Sequence, residues 1–223
     1  MWRDTVLVAG KDLRIELRSR VVVHQVLPVA ALMLVLFAFA LGPATSPMVS
    51  AAPGLFWVAV LFAGVLAVQR SFALESADGA RDGLRLSGLD PAGVFLGKTA
   101  AVALQLAVLE LVLTLGVVFL YGSHVRSFGT VVTACAAGTA GLAAAGTLYG
   151  ALAAGLRVRE TLLPLLFLPI AAPVLLAGTR LWQVALGTAP ATAGAPWSRL
   201  LLVFAAVYLA VGVVLFGPLQ EAA

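Results

Sequence analysis

The sequence predicts an all-α polytopic membrane protein, with six transmembrane helices behind an amino-terminal interfacial helix. Three observations point there. Hydrophobic residues make up 62% of the 223 and charged residues 11%, with a mean hydropathy of +1.07, an apolar excess that no soluble domain buries. Six apolar runs are of the order of the roughly 20 residues that cross a ~30 Å hydrocarbon layer. The basic residues gather in alternate loops. Six spans use up the chain, so a sizeable catalytic or sensory domain is excluded and any chemistry that needs a soluble fold must come from a partner. The single cysteine, Cys135, excludes an internal disulfide and a cysteine-rich metal site. Fourteen Lys and Arg against ten Asp and Glu is too small an excess to imply nucleic acid.

Residues 1–20 read as a helix lying on the membrane. Trp2, Val6, Ala9, Leu13 and Leu17 recur at steps of three and four, while Lys11, Arg14 and Arg18 follow another face. The six spans that follow are expected over 21–41, 53–68, 91–121, 128–156, 161–177 and 197–216, within a transmembrane domain of 21–219. The first is kept as a helix rather than a cleavable signal peptide, because Asp4, Asp12 and Glu16 precede it and the apolar run exceeds a 7–15-residue signal core. The second and fifth are short and the third and fourth long, so tilt or extension beyond the bilayer is expected. Pro164, Pro169 and Pro173 predict a kinked or broken fifth helix. Beyond it, Arg180 to Gln183 and the loose run from Gly187 to Pro196 are expected to dip into the outer interface before the sixth helix, with Trp182 and Trp197 as aromatic anchors.

Orientation follows from the bases. Only Arg126, Arg180 and Arg199 fall in the loops of one side; all the others fall in the amino-terminal arm and in the loops after the second and fourth spans. By the positive-inside rule both termini face the cytoplasm. The one long polar connection, 70–90, is then cytoplasmic. It sets Glu75, Asp78, Asp82 and Asp90 among Arg70, Arg81 and Arg85. Ser87-Gly88 reads as a helix stop and Asp90-Pro91 as an N-cap followed by proline at the first helical position, which brackets a short helix over roughly 80–86.

Three other features bear on chemistry. Ala92 to Thr99, AGVFLGKT, satisfies a relaxed phosphate-loop pattern but lacks the preceding strand and α/β surroundings, so Lys98 is expected instead to snorkel to the headgroups. Glu110 lies midway along the third span. There an ionisable group must face protein or water, either lining a substrate path or hydrogen-bonding to a Thr or Gln of a neighbouring helix. His24 and His124 carry the imidazole that ligates haem iron, but they fall at opposite membrane faces and cannot share one haem within a protomer; each reads as an interfacial polar residue. Gly146 and Gly150 form a G-x-x-x-G packing surface. No catalytic constellation or metal-ligand cluster is present in the sequence.

Lys11-Asp12-Leu13-Arg14-Ile15-Glu16-Leu17-Arg18, Ala52-Pro53-Gly54-Leu55-Phe56-Trp57-Val58, and Glu75-Ser76-Ala77-Asp78-Gly79 through Leu86-Ser87-Gly88-Leu89 to Gly97-Lys98 resemble the haem exporter protein B family, CcmB. These are permeases of type 2 ATP-binding-cassette exporters in cytochrome c maturation. The similarity covers nearly the whole chain. It implies that Glu75, Asp78 and Gly79, with Arg81 and Asp82 on the helix that follows, dock in a cleft of a cytoplasmic ATPase that binds the ATP. It also implies haem-handling membrane partners, haem as cargo and a bacterial cytoplasmic membrane location, and six helices, which make half a transport pathway, imply a homodimer. After the glycine, Ala80-Arg81-Asp82-Gly83 stands where the family has a Leu-Glu pair, which touches the details of docking. The residues themselves leave open a permease for a drug, lipid or glycan, an ATP-independent transporter, and an intramembrane enzyme.

Overall fold

The computed structural model describes residues 1–20, 22–42, 46–76, 88–122, 124–154 and 159–222. The chain order is α1 (Trp2–Ser19), a π-helical turn (Val22–Val26), α2 (Leu27–Leu41), α3 (Ser46–Ser76), α4 (Pro91–Tyr121), α5 (Phe128–Ala154), α6 (Arg159–Leu186), a 3-10 turn (Ala191–Ala193) and α7 (Gly194–Ala222). Among the described residues there is no strand. Helices α3 to α7 are each long and apolar enough to cross a membrane, whereas α2 qualifies only together with α1, from which it turns by 52°. The first span is thus shorter than the run 21–41: its first residues form the π turn and its α-helix has 15 residues.

Three other helices are longer than their apolar runs, among them the sixth span, expected over 197–216, which occupies Gly194–Ala222. The second span, expected over 53–68, occupies Ser46–Ser76, and the fifth, expected over 161–177, occupies Arg159–Leu186 without the break that its prolines predicted. Packing explains the continuity. One face of α6, with Phe167, Ala171, Val174, Ala177, Gly178 and Trp182, is buried in the bundle. Neighbouring helices hold a proline-containing span together in lipid, where an unwound backbone would find no water to bond. Arg180 to Gln183 accordingly belong to the last turns of α6, and the run from Gly187 to Pro196 holds a 3-10 turn (Ala191–Ala193) and the start of α7. Trp182 is fully buried against Phe56, with ring centroids 4.1 Å apart, so it is a core residue and not an aromatic anchor.

Helix α5 sits at the centre, packed on α3, α4, α6 and α7. Its alanine and glycine content permits this, because between helices in lipid the drive is close van der Waals contact rather than escape from water. A methyl group at Gly138 of α5 or at Gly178 of α6 would run into the Trp57 indole, which lies between them fully buried. Gly146 and Gly150 meet Val68 and Phe72 of α3 in the same way. The G-x-x-x-G pair is therefore an internal seam. The ends of the helices obey local chemistry. The Asp90 side chain caps α4 by accepting from the Ala92 N–H at 3.2 Å, with Pro91 in the first turn. Helix α6 closes with Gly187 at φ +77°, the Gly187 N–H bonding to Val184 O at 3.0 Å and the Thr188 N–H to Gln183 O at 2.9 Å.

Candidate functional site

Asp78, Gly79, Arg81 and Asp82, expected to couple to an ATPase, and the helix expected over 80–86 lie outside the described residues, while the backbone of Glu75 belongs to the last turn of α3. What the structure defines is the frame around them. Helix α1 lies against the first turns of α4, and the contact is close because two glycines permit it. A Cβ at Gly93 would sit 2.8 Å from Met1 O, and one at Gly97 would sit 2.7 Å from Thr5 O and from Val8 Cβ. The glycines of the phosphate-loop look-alike are thus packing glycines on a helix.

Lys98 does not snorkel. It is 1% exposed, with its Nζ 3.4 Å from Asp12 Oδ2 of α1 and 3.0 Å from Ser71 Oγ of α3, and 4.8 Å from the centre of the Phe72 ring. Ser71 also donates to Asp12 at 3.3 Å. A buried charge is tolerated only when paired and hydrogen-bonded, and here the pairing fastens three helices at one point. A second tie runs from Arg70 of α3 to Glu16 of α1 at 3.4 Å. A third closes the amino end, where the Met1 ammonium lies 3.3 Å from Asp4 and 3.4 Å from Asp90. There the Asp90 N–H bonds to Asp4 and holds its carboxyl below the usual range, while the hydrogen bond with Asp4 raises the ammonium above its ordinary value.

The two chain ends that lead into and out of 77–87 are therefore both fastened to α1. Sequence reasoning missed this pin. The available signal was Thr5, Val8, Asp12 and Glu16 on one face of α1, opposite Gly93 and Gly97 four residues apart on α4. The outward face of α1 carries Trp2, Val6 and Leu17, all exposed, which is the apolar stripe that an interfacial helix offers to lipid.

Glu110 of α4 is buried, and Thr139 of α5 donates to its Oε1 at 2.5 Å. Glu110, Cys135 and Thr139 are among the few polar groups in an otherwise apolar cavity of about 590 Å³ between the two helices. His24, in the π turn near α1, and His124, between α4 and α5, are both exposed at opposite ends of the bundle. The structure brings neither to the other nor to Glu110. Among the described residues no three His, Cys, Asp or Glu side chains cluster as metal ligands.

A helical bundle with an amphipathic amino-terminal helix clamped across the base of two spans defines a polytopic membrane protein of the permease class. Within that class the chain belongs to the CcmB family, whose CcmB protein description matches residues 4–220. It is similar to Heme exporter protein B of Pseudomonas aeruginosa, 28% identical over 86% of each chain. It is also similar to Heme exporter protein B of Bradyrhizobium diazoefficiens, 32% identical over 74% of each. A third relative, Heme exporter protein B of Paracoccus denitrificans, is 31% identical over 82% of this chain and 84% of its own.

Proposed function

We propose that this chain is the membrane permease subunit of an ATP-driven exporter acting in cytochrome c maturation. In this reading a separate cytoplasmic ABC ATPase hydrolyses ATP, and the motion drives haem transfer or releases a haem-loaded chaperone on the far side of a bacterial cytoplasmic membrane. The family membership and the printed names of the relatives support the cargo. The observation that carries the coupling is the pin at Lys98. An ATPase can move spanning helices only through a stiff cytoplasmic element, and the segment from Glu75 to Asp90 leaves and re-enters the bundle beside ion pairs that fix α1, α3 and α4 together. Both termini and this segment lie on the cytoplasmic side, Glu75, Asp78, Gly79, Arg81 and Asp82 meet the ATPase, and two copies of the chain complete the pathway. Glu110 and its cavity lie on the route or seal it.

Affinity purification of the full-length chain in mild detergent, with identification of what it retains, tests the reading. An ABC ATPase and a haem-handling membrane protein are expected. Loss of the ATPase on reversing Glu75 and Asp78 to Lys, with the spans still folded, is the second expectation, and unchanged retention would reject the docking assignment. Transport in liposomes without any ATPase would overturn the ATP-driven reading.

A further inference from the structure

At the end of the bundle opposite α1, the start of α5, the end of α6 and the start of α7 enclose an open cavity of about 920 Å³. Among the described residues Arg126 is its only charged lining residue, and no carboxylate faces it. Arg126 is exposed, and the backbone that carries it is held in place. The N–H groups of Arg126 and Ser127 both donate to Ala185 O, at 2.8 and 3.2 Å, and the Arg126 side chain lies across Gly187, where any Cβ would strike it.

The hydroxyls of the wall divide into two kinds. Thr133 donates to Gly129 O at 2.8 Å, Thr188 to Gln183 O at 3.0 Å and Ser198 to Ala195 O at 3.0 Å. Each has thereby spent its one hydrogen and keeps only lone pairs for a ligand. Ser127 and Thr130 share a hydrogen at 2.8 Å, which leaves that pair one hydrogen to give. The wall thus presents a cation, one O–H donor and acceptor oxygens, with Thr188 next to the glycine on which the Arg126 side chain lies. A ligand that satisfies them all carries an anionic oxygen and, next to it, donors of its own.

We infer that this cavity holds a phospholipid headgroup from the leaflet opposite α1. The phosphate sits on Arg126 and the Ser127–Thr130 hydrogen, and the glycerol hydroxyls or ammonium beyond it reach Thr133, Thr188 and Ser198. A bare carboxylate would meet the cation and leave the acceptors without donors, and inorganic phosphate, which brings hydroxyls of its own, would leave the exposed apolar side chains of Phe128 and Leu202 without a partner. Phe128 and Leu202, beside Ser127 and one turn beyond Ser198, are exposed apolar side chains that give the acyl chains a path. The inference needs neither the proposed cargo nor the proposed orientation, since both leaflets supply phosphate headgroups.

The test is lipid retention by the purified full-length chain, measured by native mass spectrometry after exchange into detergent with dioleoyl phosphatidylglycerol, phosphatidylmethanol or dioleoylglycerol. Wild type is expected to hold phosphatidylglycerol about tenfold more tightly than dioleoylglycerol, the scale of a charge-assisted hydrogen bond. It should also hold it several-fold more tightly than phosphatidylmethanol, whose phosphate has no donor beyond it. Arg126→Glu should abolish the first preference, while Arg199→Gln, at the same end of the bundle but outside the cavity wall, should leave it. Thr188→Val with Ser198→Ala should erase the second. Equal retention of the three lipids by wild type, or unchanged retention by Arg126→Glu, would overturn the inference. Displacement of the lipid by protoporphyrin but not by its dimethyl ester would reassign the anion to a tetrapyrrole carboxylate and overturn it too.

Discussion

Replacing Lys98 by Met keeps the length of the side chain and removes its charge. It leaves the Asp12 carboxylate, 10% exposed, with Lys11 at 3.2 Å and the Ser71 hydroxyl at 3.3 Å. Removing one partner of a buried ion pair costs about 3–5 kcal/mol, and because Asp12 keeps Lys11 the lower end applies. About 3 kcal/mol shifts the docking equilibrium of α1 about 100-fold. The assay is the rate at which a maleimide labels Val8→Cys, whose native side chain is 3% exposed against α4, in a Cys135→Ala background in nanodiscs. Lys98→Met should label about 100-fold faster than the parent, as the equilibrium shift implies. Adding Asp12→Asn, which neutralises the stranded carboxylate, should recover most of the protection, because losing both partners costs less than losing one. Labelling of Lys98→Met at the parent rate would refute the pin, and so would a double variant that labels as fast as the single one.

Gly97→Leu adds a side chain where Thr5 O already lies 2.7 Å from a Cβ. Such overpacking costs about 1–3 kcal/mol, so labelling at Val8→Cys should rise while total membrane abundance holds. Thr139→Val removes the donor to Glu110 and should lower detergent stability by about 0.6 kcal/mol, the average for a polar contact between spans. Glu110→Gln keeps an acceptor oxygen and should cost less, and normal cytochrome c assembly in that variant would assign Glu110 to helix packing alone. The amino-end cluster has a pH window with two edges. The depressed Asp4 contributes docking above its ordinary value of 3.8 that is lost as acid protonates it, and the raised Met1 ammonium contributes below 8.0 and is lost as alkali deprotonates it. Labelling at Thr5→Cys, normalised to the exposed Trp2→Cys, should therefore be slowest between those limits, and a flat profile would contradict the cluster.

The long apolar helices were legible because hydropathy over some 20 residues integrates a large signal, although α2 qualifies only together with α1, and Asp90-Pro91 was legible because a cap is a local device. Glu110 was legible as a buried group in search of a partner, and Thr139 supplies it. The prolines of α6 do not break it, because packing on α3, α5 and α7 keeps the helix continuous. Trp182 misled, since its position near a helix end suggested an interfacial anchor and only the fold puts Phe56 beside it. Lys98 was the most consequential failure. A basic residue at the mouth of a span reads as snorkelling unless Asp12, 86 positions earlier, is known to fold back onto it. Pairs so distant in sequence leave no periodic signal.

We propose that an ATPase grips the segment between the pinned ends of α3 and α4. A photocrosslinking amino acid at Asp78, in cells that express the full complement of partners, measures this most directly. Covalent capture of an ABC ATPase subunit, diminished by Lys98→Met at equal abundance, is the expected result. Reaction of the same position with a membrane-impermeant reagent on intact cells, with no ATPase captured, would contradict it.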